Sequence, residues 1–397
     1  MKKLILIGLA TLAACNAPVE PDNAPNLRAL STEETTLVQS NNGFAFDLFR
    51  QIQAEKVYNN IFFSPISVTW ALSMAMNGGS DSVRNSVLHL LHANGTTPDD
   101  LNAACKNLTA LLTTMDRTVE LDVANSVWVN QQFHLQDAFA TTMGNYYDAK
   151  AAALPFGDPS AAQTINQWAA EKTQNRITDL LSSTSSNDAL YLVNAIYFKG
   201  TWTYQFDKSK TVNKPFRGST DVPTMWSPGV ELGYLLTDST LLVDLPYGNK
   251  QFSMTILMPQ GNYSLSELGN ALTNETFYNW LSRADTLKPE LELPKFTVKW
   301  KRDLLNDLTN LGMVKKGFPR LLQENLALEV SKVIHQSFVE VAEEGTEAAA
   351  ATAVGISYTS ALPHPQKVQI DRPFYYFIRE RHSNTILFMG RMVAPAQ

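Results

Sequence analysis

This sequence predicts an α+β fold, on three observations. The run holding His89 and His92 reads as a helix closed by Asn94-Gly95, where histidines suit the negative end of the helix dipole. Phe338-Val339-Glu340-Val341 reads as a strand and leads towards a β-rich carboxy-terminus. After that strand comes Glu343 to Val354, EEGTEAAAATAV, a polar, glycine-broken start followed by small residues with little to pack. Its alanines favour helix, so a short exposed helix or a slack linker is one reading. Read as a strand, one face carries Thr346, Ala348, Ala350, Thr352, Val354 and Ile356; the other carries Glu347, Ala349, Ala351, Ala353 and Gly355. The first face is uncharged and small or apolar, which suits a strand able to slide into a sheet over a core.

Length alone allows two or three domains of roughly 100 to 200 residues each. No long linker and no internal repeat breaks residues 34–397, which are expected to form one domain. A net charge of −6 and a pI near 5.6, with basic residues scattered, argue against nucleic acid or a general anionic membrane surface as partner. The histidines are His89, His92, His134, His335, His364 and His382, and none lies in a close metal-ligand set. There is no GxSxG elbow, P-loop or dinucleotide glycine pattern, so no metal, cofactor or catalytic residue is expected and a hydrolase is only a remote alternative. Cys105 falls in an apolar pattern with Leu101, Leu108, Leu111 and Leu112, the setting of a buried structural thiol.

Several stretches, in one order along the chain, resemble the serpins, a family of suicide protease inhibitors. These are Asn60-Ile61-Phe62-Phe63-Ser64-Pro65-Ile66-Ser67 with Ala71-Leu72-Ser73-Met74-Ala75, Ala124-Asn125-Ser126-Val127-Trp128-Val129, and Leu192 to Gly200 followed by Trp202 and Phe206. Leu293-Pro294-Lys295-Phe296, Leu311-Gly312-Met313 and Asp371-Arg372-Pro373-Phe374 continue the series, and residues 343–354 resemble the family's reactive-loop hinge.

The resemblance implies several helices around a large five-stranded mixed sheet, two further sheets, and an exposed reactive-centre loop over about 343–367. Its hinge would be Glu343, Glu344, Gly345, Thr346, Glu347, Ala348, Ala349, Ala350, Ala351 and Thr352. Ser64, Ser67, Asn194 and His335 would form a polar cluster beneath the main sheet that governs its opening. Glu343 and Lys295 would pair beside Trp202, which core packing alone also explains, as a surface ion pair where insertion begins. The implied activity is inhibition of serine endopeptidases, by loop cleavage, acyl-enzyme trapping and loop insertion into the sheet. A non-inhibitory serpin that binds, or is merely cleaved, is the alternative, although the inserting face has none of the bulk, charge or proline usual there. Counting from Gly345 puts the reactive bond at Thr359-Ser360, with Tyr358 and Ala361 as neighbours; counting back from Pro373-Phe374 lands near Leu362, which Pro363 disfavours. Small or hydrophobic residues there point to elastase-, subtilisin- or chymotrypsin-like targets, with papain-like cysteine proteases left open. The segment after Asn94 lacks the basic cluster of heparin-binding serpins, so no polyanion cofactor is expected, and the protein is taken as a monomer.

Lys2 and Lys3 precede an apolar run from Leu4 to Leu12, too short to span a bilayer as a stable helix. This reads as an export signal. It ends in Leu12-Ala13-Ala14-Cys15, which resembles a bacterial lipobox. Residues 1–14 are thus expected to be a lipoprotein signal peptide, Cys15 the lipidated residue, and 15–33 a flexible tether. Asn16 is not the aspartate that retains many lipoproteins at an inner membrane, so the resemblance points to the outer membrane or surface of a Gram-negative cell; an ordinary signal peptide with an incidental cysteine, and so a secreted protein, is the alternative.

Overall fold

The computed structural model describes residues 24–54, 59–218, 220–346 and 366–395. Most of the helices start where a side chain can answer their unpaired amides. For α1 (Thr32–Gln53), Ser31 accepts from Glu34 N while the Glu34 carboxylate accepts from Ser31 N, a capping box. Ser64 caps α2 (Pro65–Gly78) by accepting from Ser67 N, with Pro65 at the first helical position. Ser80 caps α3 (Asp81–Leu90), and Thr97 caps α4 (Pro98–Thr114), whose buried face includes Leu101, Cys105, Leu108, Leu111 and Leu112. Burial pushes the Cys105 thiol up to about 12, so it behaves as a small apolar residue.

Two boundaries differ from the sequence reading. Asn94-Gly95 does not close α3: His92 does, at φ 58°, with Ala93 N bonded to Leu88 O and His92 N to His89 O. The ring of His92 then pairs with Asp47 at 2.7 Å, which raises its pKa by hydrogen bonding and charge against some desolvation. The body also begins before residue 34. Asn26 N bonds Met115 O at 2.8 Å, and Arg28 reaches both the Glu34 carboxylate and Asn107 O.

The main sheet runs β12 (Phe296–Asp303), β13 (Ile334–Val341), β14 (Gly345–Thr346), β4 (Leu190–Thr201), β2 (Val119–Asn130) and β3 (Lys150–Leu154). It is mixed, since β2 and β3 are parallel and the other pairs antiparallel. Five strands were expected; the sixth, β14, is two residues long and is produced by a tight turn at the end of β13. Strand alternation divides the sheet's faces. Trp128, Val193 and Ala195 pack under α6 (Pro159–Lys172) with Ile165 and Trp168, while Ile196 and Phe198 join the main core on the other side.

A seven-stranded sheet forms that core, in the order β1 (Ile61–Phe63), β17 (Ile386–Met392), β16 (Phe374–Glu380), β9 (Phe252–Pro259), β8 (Thr240–Tyr247), β7 (Leu232–Leu236) and β10 (Asp285–Leu287). It has more strands than the main sheet. The third sheet runs β15 (Lys367–Gln369), β11 (Glu290–Pro294), β6 (Thr220–Ser227) and β5 (Val212–Phe216), with β15 parallel to β11 on its edge.

Candidate functional site

The site is the end of the main sheet where β13 turns back on itself. Ala342 N donates to Gly345 O at 3.0 Å and Gly345 N to Ala342 O at 3.2 Å, which makes Glu343 and Glu344 the two central residues of a hairpin. Gly345 and Thr346 then pair with two strands at once. Thr346 lies opposite Val341 of β13 and Gly200 of β4, and Gly345 opposite Thr201. Among the described residues β13 and β4 are joined only through this two-residue wedge, so at its level they stand about 9.5 Å apart, two strand spacings.

Trp202 holds the turn from below. Its amide donates to Glu344 O at 2.8 Å and its indole Nε1 to Ala342 O at 2.9 Å, while Phe206 N donates to Glu343 O at 2.9 Å. It is core, with 3 % exposure, and also a donor to the hinge. Glu343 is not on the surface as expected but only 4 % exposed, and its carboxylate accepts from Lys295 Nζ at 2.8 Å and Thr211 Oγ1 at 2.7 Å. Burial pushes the Glu343 carboxyl up, yet the Lys295 and Thr211 hydrogen bonds outweigh it and hold the group below its ordinary value. The pair is therefore half-buried, with a stronger structural role than an exposed one. Glu344 pairs with Lys208 on the other side of the turn.

Gly345 is required by close approach. A Cβ built on it would lie 2.1 Å from Gly200 O and 2.8 Å from Thr201 Cα, both backbone. Gly345→Ala is expected to expel the hinge from the sheet. Trypsin-independent nicking of the loop by thermolysin would then accelerate at least several-fold, and an unchanged rate would contradict this.

The polar residues beneath the sheet fall into two bonded groups, not one cluster. His335 of β13 is 6 % exposed, ringed by Phe63 and Trp300, and its Nε2 accepts from Ser64 N at 3.1 Å; Ser64 Oγ donates to Leu387 O at 2.7 Å. Asn194 turns instead to Asn125, donating from Nδ2 to Oδ1 at 2.8 Å, and Asn125 donates to Tyr147 O. Ser67 and Asn194 both line a cavity of about 10 Å³. The backbone amide of Ser64 is what meets His335, while its capping Oγ turns to Leu387 of β17, and Asn194 lies directly opposite Asn125 in the β2–β4 ladder.

Burial lowers His335 from 6.5 to about 4, so it is neutral in the folded protein at neutral pH. Because the unfolded chain binds that proton first, stability should fall as pH drops from 6.5 towards 4, by about 3 kcal/mol from this group alone. Denaturant titrations between those limits test it, since His335→Gln should lose this component of the pH slope; an identical slope would contradict the assignment.

Tyr247, Thr211, Lys208, Gly200 and Asn125 also build the site, and sequence reading gave none of them a role. Tyr247 precedes a turn glycine but shows no local sign of its partners. Glu347, Ala348, Ala349, Ala350, Ala351, Thr352, Tyr358, Thr359, Ser360, Ala361 and Cys15 lie outside the described residues.

Comparison with known proteins bears directly on this geometry. The family model for serpin (serine protease inhibitor) matches residues 39–395. The chain belongs to the serpin family. A serpin-like protein of Thermococcus kodakarensis, itself uncharacterised, is 34 % identical over 91 % of this chain and 87 % of its own length. The human leukocyte elastase inhibitor is 32 % identical over 90 % of this chain and 99 % of that serpin. The crystal structure of human thyroxine-binding globulin with thyroxine superimposes with a TM-score of 0.84 at 26 % identity, covering 92 % of this chain and all of that one. Serpins are in general protease inhibitors, not hydrolases, and the family includes a member described by the small molecule it binds.

Proposed function

We propose that this serpin inhibits serine-type endopeptidases as a suicide substrate. The observation that carries the reading is β14: the hinge already pairs with both β13 and β4, so the strand order leaves the following residues a path along the sheet. The protease serine attacks the Thr359 carbonyl, the amine of Ser360 leaves, and the acyl-enzyme stays on the chain that ends at Thr359. Thr346, Ala348, Ala350 and Thr352 enter on one face without burying charge or bulk.

Chain length explains why cleavage triggers the movement. Both ends of the loop are anchored at one end of the main sheet, because Lys295, bonded to Glu343, directly follows β11, on which β15 lies. Running from Thr346 to Thr359 along β4 covers about 43 Å, whereas the seven steps from Thr359 to Gln366 reach at most about 25 Å. An intact loop tied to β15 cannot fill the slot; a cut one can.

Elastase-like or subtilisin-like enzymes fit Thr359, and chymotrypsin-like ones Tyr358. The name of the leukocyte elastase inhibitor agrees with the first of these. We also propose anchoring through lipid on Cys15, with the tether ending near Asn26, in the outer membrane of a Gram-negative cell. The test of the main reading is to mix the protein lacking residues 1–15 with the three protease classes. An SDS-stable complex with release of a peptide starting at Ser360 is expected; clean cleavage without complex by all of them would instead support a binding serpin.

A further inference from the structure

We infer that Tyr247 is a positioning residue for loop insertion: its hydroxyl receives the first inserting side chain, Thr346, and favours the hinge that has begun to insert over the withdrawn one. The inference deepens the inhibitory reading and rests on it.

Tyr247 closes β8 of the seven-stranded sheet, yet its hydroxyl meets Thr346 Oγ1 of the main sheet at 2.5 Å. Its ring is fixed from several sides. It stacks on Trp202 with centroids 4.3 Å apart and planes at 9°, and meets Phe198 edge-on at 5.2 Å. Gly200 leaves the room, since a Cβ there would come within 2.8 Å of the Tyr247 ring. Trp202 is itself bonded to the turn, but Phe198 and Gly200 belong to β4 and do not depend on the hinge, so they aim the hydroxyl at the gap between β4 and β13 before Thr346 arrives. Tyr247 has no exposed surface and Thr346 is 2 % exposed. Burial raises the phenol far above neutral pH, so it keeps its proton and the two hydroxyls share one hydrogen bond. With the hinge withdrawn the phenol would lose this partner inside the fold, an unfavourable state.

The test uses Tyr247→Phe, Thr346→Val and the double variant, each checked for folding by circular dichroism. Two quantities are read: amide hydrogen exchange at 345–346 in uncleaved protein, and the fraction of protease-treated serpin held as SDS-stable complex. Each single change should raise exchange roughly five- to tenfold and lower the complex fraction, because one hydroxyl is left buried alone or lost from the pair. The double variant should return to within about twofold of wild type, since neither hydroxyl then lacks its partner. A packing role for Tyr247 moves neither quantity, because phenylalanine keeps the ring. Wild-type behaviour of Tyr247→Phe, or additive losses in the double variant, would overturn the inference. If wild type forms no complex while exchange follows the pattern, the inhibitory reading fails and the positioning role stands.

Discussion

Thr346→Arg should turn this serpin from an inhibitor into a substrate, with the SDS-stable fraction falling more than about tenfold and the cleaved fraction rising to match. Thr346 sits buried between β13 and β4 with its hydroxyl against Tyr247, whose ring packs on Phe198 and Trp202, and only that hydroxyl needs a partner. A guanidinium there would be a buried cation. The two nearby carboxylates are already taken, Glu343 by Lys295 and Glu344 by Lys208, so neutralising it would break one of those pairs. Burying a charge without a partner costs several kcal/mol, and each 1.4 kcal/mol on the insertion step slows it tenfold. Hydrolysis of the acyl bond, unaffected by this residue, then wins. Retained complex at the wild-type fraction would refute the assignment of Thr346 as the leading inserting residue.

His335→Ala should lower stability by about 3 to 5 kcal/mol and release polymers or a latent form on warm incubation. The imidazole fills space between Phe63 and Trp300, so its loss leaves a cavity as well as an unbonded Ser64 amide. That amide belongs to the residue that caps α2 and, through Oγ, bonds β17. Removing His335 therefore loosens β13 from the core on which it must slide when the sheet widens. Native gels after incubation, with denaturant titration for the energy, check both parts. Unchanged heat stability together with unchanged inhibition would sink it.

How much of this was legible beforehand depended on sequence distance. Local chemistry read well: the strand at 338–341 and the apolar pattern around Cys105 need only neighbouring residues. Local chemistry also misled once, at the end of α3, where glycine was the expected left-handed residue and His92 takes that conformation because its ring gains Asp47. Residues 45, 45, 69 and 99 positions apart were beyond reach. Those are the spacings of His92 from Asp47, Tyr147 from Asn102, Asn194 from Asn125 and Tyr247 from Thr346. Glu343 illustrates the same limit. The family resemblance implied it as a partner for Lys295, but only the packed turn over Trp202 makes it buried and gives it Thr211 as well. Family resemblance alone had merged the polar residues under the sheet into one cluster, whereas His335 bonds Ser64 and Asn194 bonds Asn125.

The central claim is that the loop after Thr346 becomes a full strand between β4 and β13, and its most direct test is the melting temperature before and after a single cut in residues 347–365. Insertion adds a strand bonded on both sides, so the nicked protein should melt more than about 10 °C higher than the intact one. A nicked protein that melts at the same temperature, or lower, would show that the loop stays outside the sheet and would contradict the account.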